Sequence, residues 1–217
     1  MSTILAITAC RRDIHFLPRC LASVNSQTIK PEKILLFTSG CSVKNLEQYI
    51  EPNIGLISLP DEVSAGSARN TVIDAMFSSS IRGGSQILMF CDVDDQIHPQ
   101  KCEIVRDVFG YNSRITALVH GYNEDSPVFQ LYSKEECNTI YKIKEIERPP
   151  RTNLISPIPT GKICHGHVTI KIDAALSNNI RYTNISMGED GLFCQTWASH
   201  NLYVGYIPLS LINYISH

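Results

Sequence analysis

The stretch Gln86-Ile87-Leu88-Met89-Phe90-Cys91-Asp92-Val93-Asp94-Asp95 runs from an uncharged, largely apolar segment straight into three carboxylates. The apolar part is short and shows no polar alternation, the pattern of a strand covered on both faces in a helix-flanked parallel sheet. Its acidic end falls where such sheets bind ligands, beyond the carboxyl ends of the strands. Asp92, Asp94 and Asp95, crowded into four residues, repel one another and need a compensating charge. A divalent cation is the obvious one: Mg²⁺ and Mn²⁺ take hard oxygen ligands and are commonly held by one or two carboxylates together with substrate phosphates. A solvated acidic loop is the alternative. D-x-D alone does not separate the two; its place directly after a buried strand favours the cation.

The same alternation of elements extends outward. Apolar runs at 4–9, 33–38 and 54–59 alternate with helical spacings at 16–24 (Phe16, Leu17, Cys20, Leu21, Val24) and 65–77 (Ala65, Ala68, Val72, Met76). Past the acidic run, 99–109 reads as a helix opened by proline. Residues 1–110 therefore read as a doubly wound α/β half. Beyond it the rhythm changes. An apolar run covers 115–119, 128–132 and 163–172 read as strands with no strong helix between them, and Pro149, Pro150, Pro157 and Pro159 mark a long loop. A helix is expected over 188–200, with Leu192, Phe193, Thr196 and Trp197 together. The expected fold is α/β: a single domain over 1–217 with a mostly parallel central sheet flanked by helices. Its smaller second half, 111–217, is mixed or antiparallel and too poor in helices to bury much alone.

Composition narrows the function classes. With 217 residues, 43% hydrophobic and 18% charged, the chain reads as an ordinary soluble globular one of about one domain. Its 19 Lys and Arg against 21 Asp and Glu provide no basic stripe, so a nucleic-acid partner is not expected. No apolar run approaches the ~18 residues of a membrane span, and no basic, apolar leader opens the chain. The eight cysteines lack any C-x-x-C and several lie in apolar runs, which suits a reducing compartment. The expected location is cytoplasmic, with Asn184-Ile185-Ser186 an incidental sequon.

Other residues follow from the same strand-end rule. Thr8, Ala9, Cys10 and Arg11 end the first run; Ser39 and Gly40 end the second. Met187-Gly188-Glu189-Asp190-Gly191 opens a helix, where the carboxylates either complement the helix dipole or provide a general base. His165 and His167 share a face of a strand-like run, which makes His167 a candidate metal ligand against a surface or polar-core role; His98 is open in the same way. No G-x-G-x-x-G, G-x-x-x-x-G-K-[ST] or G-x-S-x-G occurs, against a dinucleotide oxidoreductase, a P-loop NTPase or an α/β-hydrolase.

Taken in order, Leu21-Ala22-Ser23-Val24-Asn25-Ser26-Gln27-Thr28, Ala65-Gly66-Ser67-Ala68-Arg69-Asn70, Asp92-Val93-Asp94-Asp95 and Gly188-Glu189-Asp190 resemble the family-2 glycosyltransferases, nucleotide-sugar enzymes of the GT-A fold. The resemblance implies a metal-dependent transfer of a sugar from a nucleoside-diphosphate sugar, UDP-glucose-like, to an acceptor hydroxyl of a glycan or glycoprotein, with inversion. Residues 1–110 would then bind the nucleotide sugar and 111–217 the acceptor. Carried over by position, Thr8, Ala9, Ser39, Arg69, Asp92 and Val93 would line the nucleotide-sugar site. Asp94 would be the principal ligand of Mn²⁺ or Mg²⁺, with Asp92 beside it. Asp190 would be the catalytic base, with Glu189 the second choice. The family's carboxylate at the end of the second strand is replaced here by Thr38-Ser39-Gly40-Cys41, which moves base or ribose recognition to hydroxyl and backbone groups. Two rivals stand beside this reading. One is a haloacid-dehalogenase-like phosphotransferase using Asp92 and Asp94, although Gln96 stands where that class usually has threonine. The other is a nucleotide-sugar-binding module without catalysis.

Overall fold

Along the first strand, Ile4 and Ala6 pack into one core, while Leu5, Ile7 and Ala9 pack into another. That two-residue alternation, with both sides apolar, is what a sheet sandwiched between helical layers requires. The computed structural model describes residues 1–78, 85–125, 128–141, 168–185 and 188–215. Its strands are β1 (Ser2–Cys10), β2 (Lys33–Ser39), β3 (Ile54–Leu59), β4 (Gln86–Asp92), β5 (Gln96–Ile97), β6 (Ala117–Glu124), β7 (Val168–Lys171) and β8 (Val204–Tyr214). Its longer helices are α1 (Leu17–Asn25), α2 (Ala65–Ser78), α3 (Lys101–Tyr111), α4 (Lys134–Tyr141), α5 (Ile172–Ser177) and α6 (Glu189–Ser199).

The strands form one eight-stranded sheet in the order β3-β2-β1-β4-β7-β6-β8-β5. β1, β2, β3 and β4 pair in parallel. β7 runs antiparallel to both β4 and β6, β6 is parallel to β8, and β5 is antiparallel to β8. The single α/β domain, its parallel part and its mixed second half are as expected from the sequence. α1 and α3 cover one face of the sheet, with Leu17, Cys20, Val24, Ile104, Val105 and Phe109 in the core. α2, α5 and α6 cover the other, through Ala68, Val72, Ile73, Ala175, Phe193 and Trp197. The chain steps outward from β1 through β2 to β3, then returns to place β4 on the opposite side of β1. The switch point of the topology therefore lies between β1 and β4, where this class of sheet opens its ligand crevice.

The second half departs from the sequence reading in particulars. Residues 128–132 form no strand; the strand there is β6, which continues from the 115–119 run to Glu124. The expected strand over 163–172 is β7 in its described part, and the chain turns into α5 at Ile172. α4 and α5, both short, were absent from the pattern, and β8 runs eleven residues where only an apolar stretch was apparent. In α6 the buried stripe is Glu189, Asp190, Phe193, Cys194 and Trp197, while Leu192 is on the exposed side. A helix that buries two carboxylates breaks the apolar periodicity used to read it. The proline-rich loop and His165 and His167 lie outside the described residues.

Three sequence features set the approach of the two halves. Ser64 caps α2, its hydroxyl accepting from the Ser67 N–H at 3.2 Å. Two residues into the helix, Gly66 lets the backbone of Thr183 come so close that a Cβ there would lie 1.9 Å from the Thr183 carbonyl oxygen. Asn70 then takes both sides of the Tyr182 peptide: its Nδ2 donates to the carbonyl at 2.9 Å and its Oδ1 accepts from the N–H at 2.8 Å. Gly66→Ala is expected to destabilise the chain by ~1–3 kcal/mol, since backbone must move to admit the methyl. That is a fall of several degrees in melting temperature at ~2–4 °C per kcal/mol for a chain of this size. Gly110→Ala, in helix α3 with nothing within 4 Å of the new methyl, serves as the control and should be neutral or slightly stabilising.

Candidate active site

Thr8, Asp92 and Ser39 come together because their strands are neighbours. Thr8 of β1 is in register with Asp92 of β4, and Cys10 of β1 with Ser39 of β2. The Thr8 hydroxyl donates to Asp92 Oδ1 at 2.7 Å, and the Val93 N–H donates to the Thr8 carbonyl at 3.0 Å. The acidic run then turns back on itself, with Asp95 N–H donating to the Asp92 carbonyl at 3.1 Å. This turn gathers Asp92, Asp94 and Asp95 so that one carboxylate oxygen from each lies within 4.8 Å of the others. Such a spread is close to the ~4 Å that separates opposite ligands of Mg²⁺ at ~2.1 Å per bond. An all-oxygen donor set of this size fits Mg²⁺ or Mn²⁺ and not a soft metal. Asp92 and Asp94 are partly exposed; Asp95 is buried and accepts from the Ile215 N–H at 3.3 Å. Ala9 and Ser39 are buried at the adjacent strand ends, and the Ser39 carbonyl accepts from the Arg11 N–H at 3.1 Å.

Two basic side chains fix the ends of this loop. Arg19 of α1 donates to the Asp94 carbonyl at 2.5 Å. Lys101, wholly buried at the start of α3, donates to the Phe90 carbonyl at 3.2 Å, beneath the end of β4. The Ser-Val-x-x-Gln-Thr run of α1 holds the chain just beyond. Ser23 Oγ accepts from Ile97 N–H at 3.1 Å, Gln27 donates to the His98 carbonyl at 2.7 Å, and Gln27 Oε1 accepts from Cys102 N–H at 3.0 Å.

Arg69 of α2 is the centre of the arrangement. Its side chain is 1% exposed and faces three carboxylates: Glu189 at 2.7 Å, Asp92 at 3.6 Å and Asp190 at 3.7 Å. Its guanidinium lies 5.3 Å from the Tyr182 ring centroid, and that ring is stacked on Phe193 at 3.8 Å. The first turn of α6, entered through Gly188 at φ +78°, thereby brings Glu189 and Asp190 to the same side of the sheet opening as Asp92. Arg69 Nε has no hydrogen-bond partner among the described residues. The structure thus gathers Thr8, Ala9, Ser39, Arg69, Asp92, Val93, Asp94, Glu189 and Asp190 around the switch point; His167 is outside the described residues. Arg69–Glu189 pairing across 120 positions has no local sequence signal, and neither has Arg19 or Tyr182. Cys102 and Cys194, both pushed up to about 12 by burial, stay protonated and have no part in this chemistry.

An open α/β sheet thus carries a carboxylate cluster at its switch point, joined through Arg69 to a buried carboxylate pair. The sequence model of glycosyl transferase family 2 matches residues 5–170, and the chain belongs to that family of glycosyltransferases. Family membership displaces the phosphotransferase alternative. No curated protein matches the sequence significantly. Among solved structures, S. aureus TarS 1–349 in complex with UDP-GlcNAc has a TM-score of 0.72 at 14% identity, covering 100% of this chain and 59% of that one. TarS 1–349 in complex with UDP has a TM-score of 0.69 at 14% identity, covering 100% and 61%. TarS 1–349 alone has a TM-score of 0.68 at 14% identity, covering 99% and 60%. The likeness is one of fold, and the chain spans about three-fifths of those structures. Among the described residues no helix is long and apolar enough to cross a membrane.

Arg69→Met is expected to lower the stability of the ligand-free protein by ~3–5 kcal/mol, because it leaves buried carboxylates without their cation. Chemical denaturation in the absence of nucleotide measures this. An Arg69 that serves only to touch a bound nucleotide would leave the ligand-free curve where it was.

Proposed function

We propose that the chain transfers a sugar from a UDP-sugar to a hydroxyl of a glycan or glycoprotein acceptor, with inversion at the anomeric carbon and with Mn²⁺ or Mg²⁺ as cofactor. The observation that carries the reading is the carboxylate cluster at the β1–β4 switch point, joined through Arg69 to the acidic first turn of α6. The UDP-bearing TarS structures of the same fold support uridine diphosphate as the leaving group. The donor sugar is proposed to be UDP-glucose or a close relative such as UDP-GlcNAc.

Residues 1–110 are proposed to hold the donor and 111–217 the acceptor. Thr8, Ala9, Ser39 and Val93, at the ends of adjacent strands, line the nucleoside part through hydroxyl and backbone groups. Arg69 keeps Asp92 and the α6 carboxylates in place. Asp94 and Asp92 would hold the divalent cation, with Asp95 closing the turn from below. When bound, the cation neutralises charge on the diphosphate as it departs. The acceptor oxygen attacks the anomeric carbon from the face opposite the diphosphate; the C–O bond to the diphosphate breaks and UDP leaves with the electron pair. Asp190, with Glu189 beside it, accepts the acceptor proton. A cytoplasmic site of action is proposed on the cysteines, all free among the described residues.

Titration calorimetry with UDP-glucose and with UDP-GlcNAc, each with Mn²⁺, tests the donor assignment. Asp94→Ala should weaken binding at least tenfold, as should EDTA on the unaltered protein; unchanged affinity in both refutes the cation site. Asp190→Asn should keep donor binding and lose transfer by ~10²–10⁴-fold, the usual contribution of a general base. Transfer at the normal rate in that variant would move the base elsewhere.

A further inference from the structure

Away from the switch point, a cavity of about 400 Å³ opens where β6 ends, lined by His98, Asn123, Glu124, Val128, Gln130 and Tyr132. Its size lies within the ~300–1,000 Å³ of small-molecule sites. Nothing in the transfer chemistry above uses it.

The lining specifies the chemistry of an occupant. The side chains of Asn123, Glu124 and Gln130 have no hydrogen bond or ion pair among the described residues, and so bring one carboxylate and two amides to the cavity. Among the described residues no lysine or arginine lines it, which disfavours a phosphate, a sulfate or a uronic acid beside Glu124. The lining is mostly polar, which disfavours an alkyl chain. Hydroxyl groups suit it best, because each can donate to a carboxylate and both donate to and accept from an amide. The ring of Tyr132, stacked on His98 with centroids 4.9 Å apart, adds an apolar surface for the C–H face of a sugar.

The His98 and Tyr132 side of the cavity, with the Gln130 backbone, is held before any ligand arrives. His98 Nε2 donates to the Gln130 carbonyl at 3.0 Å while its Nδ1 accepts from the Gln100 N–H at 3.1 Å. Gln100 grips both sides of Tyr132, at 3.1 and 2.8 Å, and the Tyr132 hydroxyl accepts from Ser210 N–H at 2.9 Å. A preformed ring surface removes part of the ordering cost of binding. Register ties the cavity to the carboxylate cluster. Asn123 pairs with Asn213, Asn213 with Gln96 next to Asp95, and Ile215 binds Asp95. Two strand spacings of ~4.8 Å put the β6 wall about 10 Å from the β5 backbone.

We propose that this cavity is a subsite for a neutral sugar ring of an oligosaccharide acceptor, one that holds a ring of the chain away from the reacting hydroxyl. The proposal rests on the glycosyltransferase reading. Its test is binding of maltotriose, cellotriose and triacetylchitotriose to the whole chain with UDP and Mn²⁺ present, by saturation-transfer NMR and calorimetry, with trigalacturonate as the acidic comparator. At least one neutral trisaccharide should bind, more tightly than trigalacturonate, and Glu124→Gln and Asn123→Ala should each weaken it tenfold or more without lowering the melting temperature. No neutral binder, equal affinity for trigalacturonate, or unchanged affinity in both folded variants would overturn the subsite. If UDP binds normally in that case, the transferase reading stands. If neither UDP nor a UDP-sugar binds, that reading falls and the acceptor role falls with it.

Discussion

The buried guanidinium of Arg69 is the constraint on which the site depends. Glu189 and Asp190 are 3% and 6% exposed, and carboxylates so buried persist as charges only when paired. Arg69 supplies the pairing and, through Asp92, ties the end of β4 to the start of α6. A planar, permanently charged fork suits that task, since it meets separate carboxylates without the option of losing its proton. The local backbone is arranged to bring the fork there. Ser64 starts the helix, Gly66 admits the 183–185 segment, and Asn70 fixes the Tyr182 peptide one residue past Arg69.

The second motif does a parallel job on the other face of the sheet. Ser23 and Gln27 satisfy backbone groups of Ile97, His98 and Cys102, the chain that leaves the acidic turn for α3. Buried polar groups with every partner met resist rearrangement more than an apolar contact of equal size. Both motifs thus act on peptide groups distant in sequence, and neither needs to touch a ligand to matter for the site.

This explains what the sequence disclosed and what it hid. β1, β2, β3, β4, α1 and α2 were legible because burial on both faces, or on one helical stripe, leaves an unmistakable apolar period. Thr8, Asp92 and Asp94 could be placed at the sheet opening because each lies at or just past the end of a legible strand, whereas Arg69 and Asp190 were singled out only by the order of the motifs. α5 has no readable period because six residues are too few for one, and 128–132 has the apolar content of a strand but leaves Val128 and Leu131 exposed while Phe129 and Tyr132 pack on His98. The stripe of α6 was misread because its buried positions include two acids whose partner lies 120 residues away. The cavity beside His98 had no signature either, being assembled from residues after β5, at the end of β6 and beyond it.

The distribution of charge also separates the buried carboxylates from those open to solvent. Arg69 reaches the cluster from the α2 face, and Lys101 lies under β4 from the α3 face. Arg69 pairs with Asp92, Glu189 and Asp190, and Arg19 binds the loop at the Asp94 carbonyl. The members turned inward, Asp95 and Glu189, have a backbone N–H and a guanidinium respectively. Asp92, which Arg69 also reaches at 3.6 Å, and Asp94 are the two members of the cluster that remain partly open to solvent. The buried acids thus have their partners inside the fold, while Asp92 and Asp94 reach solvent at the switch point, and it is these two oxygen donors on which the proposed cation site rests.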